Sequence, residues 1–318
     1  MTSKLFDLMT QCGLWHDSTR RLFEESRTLL EAMHGYVYAR FPKPYVKLLL
    51  TPKNKVTREG VENLAAHYYG KVLTHDHARA IITLNRDIPL RDLEQIVPYP
   101  VARNLVLNGP PDVLAYECPC RHARPSHCQP TQVCMVIGQP MVDFVLALNP
   151  KDSRRLTQQK ALELLREEHE RGHVHSAWFK DAMMHRFYCI CNCCRCCCGG
   201  IETMKKHGVA ILASSGYVAE FDSPACSQCG NCVEACPFDA LAMHDAGMAL
   251  EWARCLGCGV CGVACPSGAI HLVRDERKGV PLDVRILSTP EATDLRLHNP
   301  HGCSNWVKSH TIRVTIRV

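Results

Sequence analysis

The chain has 318 residues, 46% of them hydrophobic and 22% charged, with a formal net charge of +5. That length and composition suit two or three globular domains and exclude wholesale disorder. The most apolar window, residues 133–148, is interrupted by Gln139, Pro140 and Asp143, so no membrane span is expected; no secretory signal is expected either, and the compartment expected is the cytoplasm.

The anomaly is the count of 21 cysteines. Disulfides belong to oxidising compartments and short secreted scaffolds, so ligation of metal or clusters is the expectation. Their placement agrees, since eight lie in two matching motifs, seven between Cys189 and Cys198, and four between Cys118 and Cys134, with Cys12 and Cys303 alone.

Residues 1–110 read as a helical domain. Apolar residues Leu22, Phe23, Leu29, Leu30 and Met33 pattern residues 18–34 as a helix, and Thr57 opens a second that ends near Gly70. Short helices follow at 73–84 and 90–97, and Pro98 and Pro100 break the chain before VARNLVLNG. The series fits a docking domain or a winged-helix arrangement, although VARNLVLNG carries only Arg103, so nucleic acid is not the expected partner.

Residues 111–216 form a cysteine-rich middle section. It holds one clear helix at 156–171, stopped by Gly172, and short strands at VHSAWF and FYCIC, with 201–216 as a connector. Cys118, Cys120, Cys128 and Cys134 leave room for a loop to wrap a metal, with His122 and His127 as possible substitutes for a thiolate. CICNCCRCCCGG supplies Cys189, Cys191, Cys193, Cys194, Cys196, Cys197 and Cys198. A regular helix would spread Cys189, Cys193, Cys196 and Cys197 over about 12 Å, too far for one cluster, so a wrapped loop ending at Gly199 is expected. These eleven thiols suit at least one further iron–sulfur centre, with zinc as the competitor.

Residues 217–275 repeat with a period of 29: CSQCGNCVEACP from Cys226 matches CLGCGVCGVACP from Cys255. In such a run three cysteines wrap one cluster and the fourth reaches the other. Cys226, Cys229, Cys232 and Cys265 are thus expected to hold one 4Fe-4S cluster, and Cys255, Cys258, Cys261 and Cys236 the second. Zinc ribbons, which pair two distant C-x-x-C units, fit this spacing poorly. Residues 217–283 carry nine acids against four bases, leaving −5 there and +10 on the remainder, a surface suited to basic redox partners. Residues 284–318 show no motif beyond an alternating TIRVTIRV ending.

The twin motifs resemble a bacterial-type two-cluster ferredoxin, with strands expected at AEFD, ALAMHD, ALEW and AIHLVRD. That resemblance implies a one-electron relay without substrate chemistry of its own. VPYPVARNLVLNGP, ECPCR, ALELLREEHERGHVH and CNCCRCCC also resemble a group of multidomain 4Fe-4S proteins of anaerobic bacteria and archaea, over about residues 55–275. The fold expected is α+β: a helical N-terminal domain, a cysteine-rich middle and a ferredoxin-like (βαβ)2 module at 217–283. The function expected is electron transfer between a redox donor and acceptor, as a carrier or as a subunit of an oxidoreductase. The rivals are a redox-responsive regulator and a reductase whose middle centre acts on a substrate. No G-x-G-x-x-G follows a strand and no P-loop occurs, so no nucleotide is signalled.

Overall fold

The structure, a computed structural model, describes residues 11, 15–51, 57–85, 109–245 and 247–287. The expected helix at 90–97, residues 101–108 of VARNLVLNG, Cys12, Cys303 and the TIRVTIRV ending lie outside the described residues.

The apolar run expected as one helix over 18–34 is two, α1 (Asp17–Glu25) and α2 (Leu29–Arg40). Ser26 Oγ donates to Leu22 O at 2.6 Å at the end of the first, and the Thr28 hydroxyl accepts from Glu31 N at 3.2 Å to open the second. Leu22 is fully buried, whereas Leu29, Leu30 and Met33 are exposed. Next come α3 (Pro42–Leu50) and α4 (Arg58–His67). The second expected helix stops short of Gly70, because Tyr68, Tyr69 and Val72 enter strand β1 (Tyr68–Val72). Aromatic and β-branched side chains suit a buried strand better than a helix end. Then α5 (His75–Ile82) is capped by the Thr74 hydroxyl.

The middle section supplies β2 (Val113–Tyr116), α6 (Pro119–His122), β3 (Cys134–Ile137), α7 (Met141–Leu148) and β4 (Ser153–Leu156). It continues through α8 (Gln158–Glu170), β5 (Val174–Lys180), β6 (Arg186–Cys193), α9 (Gly199–His207) and β7 (Leu212–Ala213). Seven strands form one sheet in the order β4-β2-β3-β6-β5-β1-β7, antiparallel except for β1 with β7. The sheet therefore runs across residue 110, and 201–216, expected as a connector, contributes a helix and an edge strand. Strand β6 also corrects the expected wrapped loop, which is confined to residues 194–198. Alternation along β6 puts Cys189, Cys191 and Cys193 on one face and Ile190 and Asn192 on the other.

The repeat folds as two strand–helix–strand halves. These are β8 (Tyr217–Phe221), α10 (Asn231–Ala235) and β9 (Leu241–His244), then β10 (Gly247–Leu250), α11 (Val260–Val263) and β11 (Ile270–Arg274). β8 pairs with β11 and β9 with β10. The mixture of helix and sheet is α+β. A short helix, α12 (Val284–Leu287), begins the stretch in which no motif was read. Among the described residues no helix is long and apolar enough to cross a membrane.

Helix α2 docks on the turn after β5, where Met184 (φ 59°) and His185 (φ 53°) are left-handed without being glycine. A Cβ on Gly35 would lie 2.0 Å from the Ala182 carbonyl oxygen. Gly35→Ala should therefore cost about 1–3 kcal/mol by overpacking, read as a lower denaturation midpoint; an unchanged midpoint would show that the helix sits elsewhere. His185 Nε2 meets Glu31 Oε2 at 3.0 Å, and its Nδ1 stands 3.6 Å from Asp181 Oδ1. Asp181, and after it Glu31, hold the His185 pKa above its ordinary value despite burial. Because the folded pKa is the higher one, this stabilisation is present below about pH 6.5 and is lost as pH rises through the folded value. His185→Gln should flatten that decline in melting temperature; an equal slope in both proteins would exclude His185 as its source.

Candidate metal and cluster centres

The two halves of the repeat present their thiols in the same way. Gly230 (φ 79°) and Gly259 (φ 82°) turn the chain into α10 and α11, whose first turns carry Cys232 and Cys261. Gln228 (φ 54°) and Gly257 (φ 64°) are left-handed at equivalent places, and a Cβ on Gly257 would lie 2.2 Å from the Tyr217 carbonyl oxygen. Backbone N–H groups point at the sulfurs: Ala240 N donates to Cys236 Sγ at 3.3 Å, and Ala269 N, 29 residues on, bonds Cys265. Such donors favour a thiolate, the form that binds iron.

Thiols of the two halves come near one another. Cys265 lies with Cys226 near Cys232, Cys236 lies near Cys258 and Cys261, and Cys232 also neighbours Cys261. Cys236, Cys255, Cys258 and Cys261 line one cavity.

The middle thiols fall into two sets. In the first, Cys118 neighbours Cys120 and Cys134, Cys120 neighbours Cys198, Cys198 neighbours Cys193, Cys193 neighbours Cys191, and Cys191 neighbours Cys134. These six close a ring on a cavity of about 380 Å³ that Tyr38, Tyr68, Trp178 and Lys180 also line. Cys189 extends the ring, 3.8 Å from Cys191. The neighbouring Cys120 and Cys134 thiols, helped by Arg121, hold the Cys118 thiol well below its ordinary range. Neighbouring thiols first and burial second push Cys120, Cys134 and Cys193 well above it. Burial lowers Lys180 to about 8, and its ammonium stands 5.0 Å from the Tyr38 ring centre.

The second set is compact. Cys128, Cys194, Cys196 and Cys197 bring their sulfurs within 4.8 Å of one another, with separations of 2.9 Å (Cys128 to Cys196), 3.8 Å (Cys128 to Cys197) and 3.2 Å (Cys196 to Cys197). A tetrahedral ion with metal–sulfur bonds of about 2.3 Å needs edges of about 3.8 Å. Four irons and four sulfides would force the thiolates further apart. Among the described residues, neither the six-thiol ring nor the repeat contains three ligand atoms drawn so closely together.

His122 and His127, considered as substitute ligands, are engaged otherwise. His122 Nε2 pairs with Glu117 at 2.7 Å, and His127 Nδ1 lies 3.3 Å from the Arg124 carbonyl.

Arg121, fully buried, lies close to Cys118 of the ring and Cys194 of the compact set. Its Nη2 meets Glu168 Oε2 at 3.0 Å, His173 Nδ1 at 3.2 Å and the Asn192 carbonyl at 3.2 Å, and Nη1 donates to the Pro130 carbonyl. Burial alone would lower its pKa, but the Glu168 carboxylate outweighs it and the cation persists. Sequence reading missed Glu168 and His173, although both lie in the EEHERGH run at the end of α8, where a histidine five residues after a glutamate can fold back onto it.

The family model of a 4Fe-4S dicluster domain matches residues 225–270. No curated protein matches the chain. Residues 225–270 are thus a 4Fe-4S domain of ferredoxin type, and with the cysteine sets they support at least one iron–sulfur cluster and an electron-transfer role.

Glu168→Gln would leave the Arg121 cation buried without its carboxylate. Losing one partner of a buried pair costs about 3–5 kcal/mol, so chemical denaturation should shift by that amount. A shift below about 1 kcal/mol would mean that the guanidinium's carbonyl bonds suffice.

Proposed function

We propose that the protein is an iron–sulfur electron-transfer protein with two 4Fe-4S clusters in its ferredoxin-type domain and a further iron–sulfur centre in the six-thiol ring. Cys226, Cys229, Cys232 and Cys265 hold one cluster, and Cys255, Cys258, Cys261 and Cys236 the other. Zinc, weighed for the whole middle section, keeps the compact quartet, whose spacing fits a single ion. The observation that carries this reading is sulfur spacing: one set brings four sulfurs within 4.8 Å of one another, whereas among the described residues no other three thiols do so. When bound, the clusters take up and pass on single electrons.

The joint between the two cysteine regions supports a continuous path. Arg195, between Cys194 and Cys196, donates to the Glu234 carbonyl and pairs with Asp239 at 3.2 Å; Lys205 also pairs with Asp239. Both contacts flank Cys236. The donor and acceptor are redox proteins of the same compartment, read here as the cytoplasm, and the protein acts as a carrier or an oxidoreductase subunit. A reductase is the second reading, favoured by the cavity of about 380 Å³ beside the ring, with Lys180 as its cation.

The crossed ligation has a direct test. Cys236→Ser should damage the cluster of Cys255, Cys258 and Cys261 and leave the other intact, and Cys265→Ser should do the reverse, each read by electron paramagnetic resonance of the reduced full-length protein. Loss of the cluster in the same half as the substituted cysteine would overturn the assignment.

A further inference from the structure

A second kind of donor set lies on the opposite side of β5 and β6 from the ring thiols Cys191 and Cys193. His75 opens α5, His169 stands in the last turn of α8 and His175 lies in β5. Their ligand nitrogens all fall within 4.8 Å of one another. His75 Nδ1 is 3.1 Å from His175 Nε2; two imidazoles on one tetrahedral ion, at metal–nitrogen bonds of about 2.0–2.1 Å, stand about 3.3 Å apart.

The orientation of His175 is fixed from behind. Asn192, its cross-strand partner, donates from Nδ2 to the Val133 carbonyl at 2.7 Å, so its Oδ1 must accept. Oδ1 lies 2.6 Å from His175 Nδ1, which therefore carries the proton. In the neutral ring the lone pair sits on Nε2, aimed at His75. A fixed outer hydrogen bond on the far nitrogen is the usual arrangement behind a metal-bound histidine. His175 is buried, while His75 and His169 are half-buried and line a cavity of about 450 Å³ together with Cys258 and Cys261. The ring planes lie 18–37° from one another, so loading needs a turn of His169, which its partial exposure permits.

We propose that His75, His169 and His175 form a binding site for one divalent transition ion of the borderline class that prefers imidazole, such as Zn²⁺ or Fe²⁺, beside the cluster of Cys258 and Cys261. Three protein ligands leave a fourth position open, as catalytic rather than structural sites do, and that position faces the cavity. The site is separate from the thiol centres in donor type and in place.

The test is a Co²⁺ titration of the full-length protein, purified anaerobically with its iron and its cysteine-bound metal in place. One equivalent should bind with the d–d bands of a nitrogen and oxygen site and no sulfur-to-cobalt charge transfer, and it should speed relaxation of a reduced cluster's paramagnetic signal. His75→Ala and His169→Ala should each weaken binding at least about tenfold, with iron and sulfide content unchanged. His271→Ala, which lines the same cavity, should bind as the native protein does. Failure to bind Co²⁺, native affinity in both histidine variants, or a cobalt spectrum dominated by thiolate charge transfer would each overturn the proposal.

Discussion

A thiolate serves a metal centre only when its sulfur is held at the separation that centre dictates, and strand β6 with the loop after it is where this chain meets that demand. Alternation along β6 sends Cys189, Cys191 and Cys193 to one face at two-residue spacing. Facing them are Cys134 from β3 and Cys118 and Cys120 at the start of α6, which widens the set into a ring. Beyond Cys193 the chain leaves the sheet, and the tight turn before α9 draws Cys194, Cys196 and Cys197 against Cys128. One contiguous run of cysteines thus contributes to two sets of different spread, because its backbone changes from strand to turn halfway.

Charge is the second constraint. Thiolates near a low-dielectric core need compensation, and Arg121 provides it from a fully buried position between the two sets. Glu168 keeps that cation charged but also cancels part of it, and Arg171 Nη1 bonds the same carboxylate at 2.8 Å from the surface side. In the ferredoxin-type domain compensation comes instead from backbone N–H groups. The two regions share an electrostatic problem and use different donors for it.

The sequence exposed what is local and periodic. The repeat of 29, the cysteine motifs, the helix around 158–170 and the strands at VHSAWF and FYCIC all carry short-range signals, and the structure has elements at each. What stayed hidden is set by long-range pairing. β1 reads as the tail of a helix until Val174–Lys180 is available to pair with it, and β7 is two residues long. The division of the middle thiols was illegible because Cys128 reaches its partners across 68 residues. The histidine triad joins residues from α5, α8 and β5, so no window of sequence contains it. Asn192 lies between two cysteines, and only the strand register sets it against His175.

On the proposed reading, sulfur spacing sorts the cysteines by nuclearity, with clusters in the ferredoxin-type domain and the ring and a single ion in the compact quartet. Iron, inorganic sulfide and zinc counted per chain on the anaerobically purified protein, together with its Mössbauer spectrum, test it most directly. More iron and sulfide are expected than the eight of each that two 4Fe-4S clusters hold, plus one tetrahedral thiolate-bound ion that brings no sulfide. Eight irons or fewer, with the remaining thiols free or all bound to zinc, would contradict it.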